Sequence, residues 1–452
     1  MMARTMYLAW LLRHSQAEQE VIKSKRKALS IYHQTRKSVR WYQLQTNQQH
    51  VLENDFSVLA PCLNKQKVFS SIPLISLIQN NKKRIGAISL SSGASGAFSI
   101  GFSTRKDLKR ASVETDVFLN LFFNARKNNT VVINASAMGV RAYTNHVCCD
   151  TGPRIDLVLH LLMNVAPAFD KVFVIGDPVF IKSLVEESVR KGFEWDKQAI
   201  YLISGGEWLP ESLRTYVHGL IGKSAQQPEM GFWSCIYGLT ELGYPLFFET
   251  ADLVVYRSAL SKSKKKQESP LHMLCTTPSV YYYRPSSYYL EELQQASGTS
   301  HLAFTMLNKK RMVPMVRYDT GDVGRLIDSK SVPDKKYPLP LVEFWGRDQN
   351  WLEIASGMIY VNDIKEIIFS LFEICPFITG YFTLNSIKDK AILMLQLKKG
   401  VSENAVNAEV LEKAFLSNYS HQLEVSLVEY MQMGAQMELD FERKFKHLNT
   451  EQ

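Results

Sequence analysis

Three runs constrain this chain more than any others: TVVINA at 130–135, KVFVI at 171–175 and QAIYLIS at 198–204. Each is apolar and rich in β-branched residues over nearly its whole length, the pattern of a parallel strand buried on both faces. Residues Asp177–Gly192, after the second run, have amphipathic helical spacing, opened by Asp177-Pro178 as cap and first-turn residue. Glu211–Ile221 is the helix expected after the third. This alternation predicts a parallel or mixed sheet covered by helices. At 452 residues the chain exceeds what one core supports, so a second domain is expected. The pattern restarts near Trp345–Gln349, with a helix at Ile364–Phe372, strands around Thr379–Asn385 and Ala391–Lys398, a helix at Ser402–Ser417 and a strand at Glu424–Tyr430. The expected fold is therefore α/β: a large N-terminal domain (1–347) of mixed and parallel sheets under helices, and a small α+β C-terminal domain (348–452).

The remaining segments are less informative. Residues 1–60 read as basic helices packed on the main body, 258–270 (SALSKSKKKQESP) as a mobile surface loop, and 271–345 mostly as strands. The net charge of +9 is spread out and accompanied by no nucleic-acid recognition motif, so no nucleic-acid partner is expected. The six cysteines have no framework spacing and read as free thiols of a reducing compartment; adjacent Cys148 and Cys149, near His146, are poor joint ligands for one ion. No apolar run has the length of a membrane span and the N-terminus lacks a signal-peptide core. The chain is read as cytoplasmic, without a membrane partner, and as a monomer or homodimer.

Residues 89–104, SLSSGASGAFSIGFST, follow a strand-like stretch (Ile85–Leu90) and carry Phe98, Ile100 and Phe102 at period two. A Gly/Ser loop between two strands is either an ordinary hairpin loop or a cradle whose backbone N–H groups and hydroxyls wrap a phosphate. It is neither a Walker loop nor a GxGxxG turn. Further along stand SGGEWL (204–209), directly after a buried strand, YGLTE (237–241), VRYDTGD (316–322) and GRD (346–348). Each alone is common; their order and spacing are not.

With these motifs the sequence resembles the adenylate-forming superfamily of acyl-CoA synthetases, luciferases and peptide-synthetase adenylation domains, and within it the phenylacetate-CoA ligase branch. The resemblance covers about residues 20–448 and is most specific over YGLTE and RYDTGD. It implies a mobile C-terminal lid and an ATP-dependent, AMP-forming acid ligase. Such an enzyme makes an acyl-adenylate, releases pyrophosphate and passes the acyl group to a thiol, of CoA or of carrier-protein phosphopantetheine, or to an amine. ATP and Mg2+ are the implied cofactors, and a small carboxylic acid the substrate, with an acyl carrier protein as a possible macromolecular partner.

The residue chemistry suits that reaction. Joining a carboxylate to ATP sets two anions against each other, so phosphate charge must be neutralised and the carboxylate held in line with the α-phosphorus. By the resemblance, Ser91, Ser92, Gly93, Ser95 and Gly96 would bind the β/γ-phosphates, and Thr240 the α-phosphate. Glu241, a hard oxygen donor, would hold Mg2+. Gly205, Gly206 and Glu207 would lie against adenine, Tyr237 with Gly238 would stack on it, Asp322 would accept the ribose hydroxyls and Arg347 would contact the ribose-phosphate region. In FERKFKHL (441–448) Lys444 aligns with the family's lid lysine, which meets the α-phosphate during adenylation; Lys446 is the second choice. The stretch ASAMGVRAYTNHVCCD (135–150) resembles the acid-binding segment, with Gly139, Tyr143 and His146 as candidate liners and an aryl or modest acyl acid as the expected substrate.

Two departures stand out. Gly96-Ala97-Phe98 replaces the family's Gly-Lys-Pro, removing a loop cation, and Gln349 stands where the hinge Asp is expected. They motivate the alternative of a catalytically altered homologue that binds nucleotide and acts as a binding or scaffold protein.

Overall fold

The computed structural model describes residues 16–46, 56, 60–79, 84–91, 98–125, 129–137, 139–263, 269, 271, 273–355, 357–387, 390–418, 423–430, 441, 447 and 448. Strands run in chain order as β1 (Leu63–Asn64), β2 (Ile85–Leu90), β3 (Ile100–Thr104), β4 (Thr130–Asn134), β5 (Val147–Asp150), β6 (Lys171–Gly176), β7 (Ala199–Ser204), β8 (Trp233–Leu239), β9 (Gly243–Phe248) and β10 (Ser279–Tyr283). They continue as β11 (Tyr288–Gln294), β12 (Ser300–Met306), β13 (Tyr318–Ile327), β14 (Leu341–Arg347), β15 (Trp351–Ile354), β16 (Gly357–Tyr360), β17 (Ile378–Ile387), β18 (Lys390–Leu397) and β19 (Leu423–Val428). The helices are α1 (Ala17–Ser38), α2 (Arg40–Thr46), α3 (Leu74–Leu77), α4 (Arg105–Phe123), α5 (Ile155–Asn164), α6 (Pro178–Arg190), α7 (Glu211–Ile221), α8 (Ala251–Lys262), α9 (Val361–Ser370) and α10 (Ala408–Asn418).

The main sheet has the order β11-β12-β13-β14-β10-β9-β8-β7-β6-β4-β5, with β1 paired to β13. From β5 to β8 the neighbours are parallel; from β8 outward through β9 to the edge strand β11 they are antiparallel. The parallel strands read as apolar runs because both faces are covered. Val131 and Ile133, Val172 and Val174, and Ile200 and Leu202 enter one core with α5, α6 and α7. Their neighbours Val132, Phe173, Tyr201 and Ile203 enter a second core with α4 and α8.

Helix starts follow their caps. Asp177 Oδ1 accepts from Val179 N at 2.9 Å, with Pro178 in the first turn. Thr104 and Asp107 form a capping box at α4. At α7 the cap position is Pro210, which has no side-chain acceptor to offer. The gap is filled from the C-terminal part of the chain: Glu366 on α9 accepts from Glu211 N and Ser212 N, both at 2.9 Å, and from Ser212 Oγ at 2.6 Å.

The C-terminal part has its own sheet, β17-β18-β19, beside the β15–β16 hairpin. Besides Glu366, the carboxylate of Asp363 accepts from the backbone N–H groups of Leu274, Cys275 and Thr276 at 2.7, 2.9 and 2.6 Å. Fully buried Lys182 on α6 donates to Ile378 O at 2.8 Å. Two expected boundaries move. α8 runs through Lys262, so the first residues of the proposed 258–270 loop are helical, and residues 264–268 and 270 lie outside the described set. The helix expected over Ser402–Ser417 is a short 3-10 turn, Glu403–Ala405, followed by α10. Among the described residues no helix is long and apolar enough to cross a membrane.

Candidate functional site

A cavity of about 1460 Å3 lies where the sheet switches from parallel to antiparallel, against the C-terminal ends of β6, β7 and β8. Open α/β sheets place ligands in the crevice beyond the carboxyl ends of their strands. Of the residues expected in a nucleotide site, Ser91, Gly205, Gly206, Glu207, Tyr237, Gly238, Thr240, Glu241, Asp322 and Arg347 line this one space, joined by Tyr143 from the expected acid-binding stretch.

The chain places them as follows. β8 is fixed from below by buried Glu249, whose Oε2 accepts from Cys235 N at 3.0 Å and pairs with Arg214 at 2.7 Å. Two residues on, Tyr237 stacks on Phe247 (centroids 4.7 Å apart) and its hydroxyl donates to Asp322 Oδ2 at 2.6 Å. The other Asp322 oxygen faces Arg347 Nε at 3.3 Å, because β13 and β14 pair these two residues directly. Phe304 and Phe344 also pack around the ring, at 6.3 and 5.2 Å between centroids, so Tyr237 is buried and only part of it borders the cavity. The next carboxylate repeats the device: Tyr318 OH donates to Glu241 Oε1 at 2.6 Å. Burial and the adjacent carboxylates push both phenols up, so both remain donors.

Glu241 is buried, yet among the described residues its Oε2 has no hydrogen-bond partner. Among the described residues, one carboxylate oxygen without a partner at the cavity wall suits Mg2+, which keeps most of its ligands as water and phosphate oxygens. Among the described residues no group of three or more His, Cys, Asp or Glu side chains is placed to hold a metal by itself, Cys148 and Cys149 included.

The Gly/Ser loop joins β2 and β3, and its mouth is closed by Ser91 N to Ser99 O at 3.0 Å and Ser99 N to Ser91 Oγ at 2.8 Å. Ser91 is thus a stem residue as well as a cavity liner. Ser92, Gly93, Ser95 and Gly96 lie outside the described residues, as do Lys444 and Lys446. What docks the hairpin on the site is Gly101, which the sequence reading passed over: a Cβ there would stand 2.2 Å from the Thr240 carbonyl oxygen. A glycine inside a strand is the signal of such a close approach.

Other expectations resolve differently. Gly139 sits exposed in a positive-φ turn and His146 is buried in the interior; neither lines the cavity. Glu207 does, and it also pairs with Lys365 of α9 at 3.3 Å. Arg311 and His301 line the cavity without having been anticipated. His301 bridges Asp319 and Asp348, each at 3.0 Å, and those carboxylates, Asp319 first, raise it from 6.5 to about 9. It ties the first residue after β14 to β12 and β13.

No family model matches the chain, and no curated protein matches its sequence. Solved structures do match. A 2-hydroxyisobutyryl-CoA ligase in the postadenylation state, with 2-HIB-AMP bound, superposes with TM-score 0.69 at 13% identity over 97% of this chain and 90% of that one. The chain has the adenylate-forming ligase fold. The same ligase in the thioesterification state, with CoA, gives TM-score 0.55 over 97% and 91% of the two chains at 13% identity. An anthranilate CoA ligase with anthranoyl-AMP gives 0.50 at 12% identity over 77% and 64%. The score is higher against the postadenylation structure than against the thioesterification one.

Proposed function

We propose that the chain is an ATP-dependent acid ligase, of the phenylacetate-CoA ligase kind by its motifs. The observation that carries this reading is the convergence on one cavity of Gly205–Glu207, Tyr237–Glu241, Asp322 and Arg347. The cavity exceeds the roughly 300–1,000 Å3 of ordinary ligand pockets, which suits a nucleotide and an acid held together. Adenine lies along Gly205–Glu207, next to the part of Tyr237 that borders the cavity. Asp322, already oriented by Tyr237 and Arg347, accepts the ribose hydroxyls. The phosphates run from Thr240 towards the Gly/Ser loop. Glu241 is the protein ligand of Mg2+, which when bound adds positive charge among the phosphate oxygens.

An oxygen of the acid attacks the α-phosphorus, the bond to the bridging oxygen breaks, and pyrophosphate leaves with that electron pair. The protein's part is alignment and charge compensation. Lys444, or Lys446, is the lid cation for the α-phosphate. The acid sits towards Ser136, Ala137 and Val140–Tyr143, a wall shared with Phe102, Phe118 and Phe173, which favours an aryl or modest acyl group. A thiol of CoA or of carrier-bound phosphopantetheine, or an amine, then attacks the acyl carbonyl and AMP leaves.

A second reading, nucleotide binding without turnover, is favoured by the missing loop lysine, by Gln349 at the hinge and by the capping of α7 from α9. A pyrophosphate-release screen over aryl and fatty acids separates the two. Acid-dependent release supports the ligase; ATP binding with no release from any acid leaves the second reading.

A further inference from the structure

Arg311 stands between β12 and β13, in the run NKKRMVP, and lines the cavity beside Glu241. One of its terminal nitrogens donates to the backbone carbonyl of Glu241. Its Nε is enclosed and has no acceptor, and among the described residues no acidic side chain pairs with it. Two carboxylates attract it from further off, Asp107 and Glu241, but both are engaged elsewhere. Asp107 Oδ2 accepts from Thr104 N at 3.0 Å and Thr104 Oγ1 at 2.7 Å, while its Oδ1 accepts from Asn308 at 3.3 Å. Glu241 Oε1 is held by Tyr318. Burial outweighs the attraction and lowers the guanidinium to about 10, so it stays a cation at neutral pH.

An enclosed cation with only a neutral carbonyl for a partner is unfavourable until an anion meets it. The position says which end of the site that anion occupies. The Glu241 carbonyl that Arg311 grips follows Thr240, whose own carbonyl is in contact with Gly101 of the Gly/Ser hairpin. Ser91 and Ser99, at the mouth of that hairpin, line the same cavity. A guanidinium is planar, carries parallel N–H groups and suits phosphate oxygens two at a time.

We infer that Arg311 binds the phosphate tail of the nucleotide. It supplies the positive charge that a Gly/Ser loop with Ala97 and Phe98 in place of lysine and proline does not carry. The inference rests on the proposed ATP site.

The test is equilibrium titration of the full chain with Mg-ATP, pyrophosphate and AMP, in wild type, Arg311→Met and Arg311→Lys. Arg311→Met weakens ATP and pyrophosphate by about tenfold or more and AMP by less than about twofold; Arg311→Lys falls between, having lost the paired donors. Without ligand, Arg311→Met melts no lower than wild type, because an unpaired enclosed charge has gone, while the rise in melting temperature with ATP shrinks. ATP and AMP weakened alike in Arg311→Met, or ATP bound by Arg311→Met as tightly as by wild type, overturns the assignment. A rise confined to KM for the acid also overturns it, by placing the guanidinium on the acid's carboxylate. Loss of the fold in Arg311→Met together with unchanged ATP affinity in Arg311→Lys makes the residue structural. A wild type that binds neither ATP nor pyrophosphate sinks the proposed function itself.

Discussion

Glu241 and Glu366 are buried to nearly the same degree, 6% and 7% exposed, and are held in opposite ways. Glu366 is saturated: two backbone N–H groups and a hydroxyl, all at the start of α7, occupy both its oxygens. Glu241, which lines the cavity, receives one phenol on Oε1, and among the described residues its other oxygen has no hydrogen-bond partner. Burial alone therefore does not separate the two acids, nor does one unsatisfied oxygen, since structural Glu249 also has one; what sets Glu241 apart is that it borders the cavity. A carboxylate with every partner supplied has its work inside the fold. One that is half-supplied at the wall of a cavity is the better candidate for a ligand, and that is the role proposed for Glu241.

The contrast breaks first, and most visibly, at Glu241. Glu241→Gln keeps the shape and the Tyr318 contact but removes the charge for Mg2+, so pyrophosphate release falls by roughly 100-fold or more, about 3 kcal/mol of transition-state stabilisation. The melting temperature moves little. Substantial destabilisation with intact turnover reverses the roles assigned to the two acids.

At Glu366 the effects exchange places. Glu366→Ala strips the start of α7 of its acceptors and costs about 2 kcal/mol or more, read as a lower denaturant midpoint, while ATP affinity measured on the folded protein stays close to wild type. His301 offers a pH readout of the same idea, since it too has both ring nitrogens engaged. Its pKa in the folded chain, about 9, lies above the unfolded value. Its contribution is thus complete below about pH 6.5 and is lost as pH climbs towards 9, a decline of roughly 2–3 kcal/mol. His301→Gln flattens the stability profile over that window; an unchanged slope contradicts the bridge. The smallest effect is at Thr104, whose capping box closes α4: Thr104→Ala lowers stability by about 1 kcal/mol in a denaturation curve.

The sequence made some of this legible and hid the rest for physical reasons. Runs such as KVFVI announce a strand because both faces are covered, and Asp177-Pro178 announces a helix because cap and first turn are local. Glu241, Asp322 and Arg347 were found through short motifs, and the sheet carries all three to one cavity. Arg311 follows Lys309 and Lys310 in a stretch that no motif marks, and only the fold reveals that it lines the cavity with its Nε enclosed. Glu366 was hidden because the helix end it caps lies far away in the chain, and the only local hint was a proline, Pro210, where a capping side chain was wanted. Gly101 was lost in a strand of period two, although a glycine there has no reason to exist except the backbone pressed against it.

Acid-dependent exchange of labelled pyrophosphate into ATP puts the central claim to the most direct trial, because it reports acyl-adenylate formation whatever the eventual acceptor. The account predicts exchange in the wild-type chain with at least one aryl or modest acyl acid, and its loss in Glu241→Gln. Exchange that survives that substitution undiminished, or bound ATP that never exchanges with any acid offered, contradicts it.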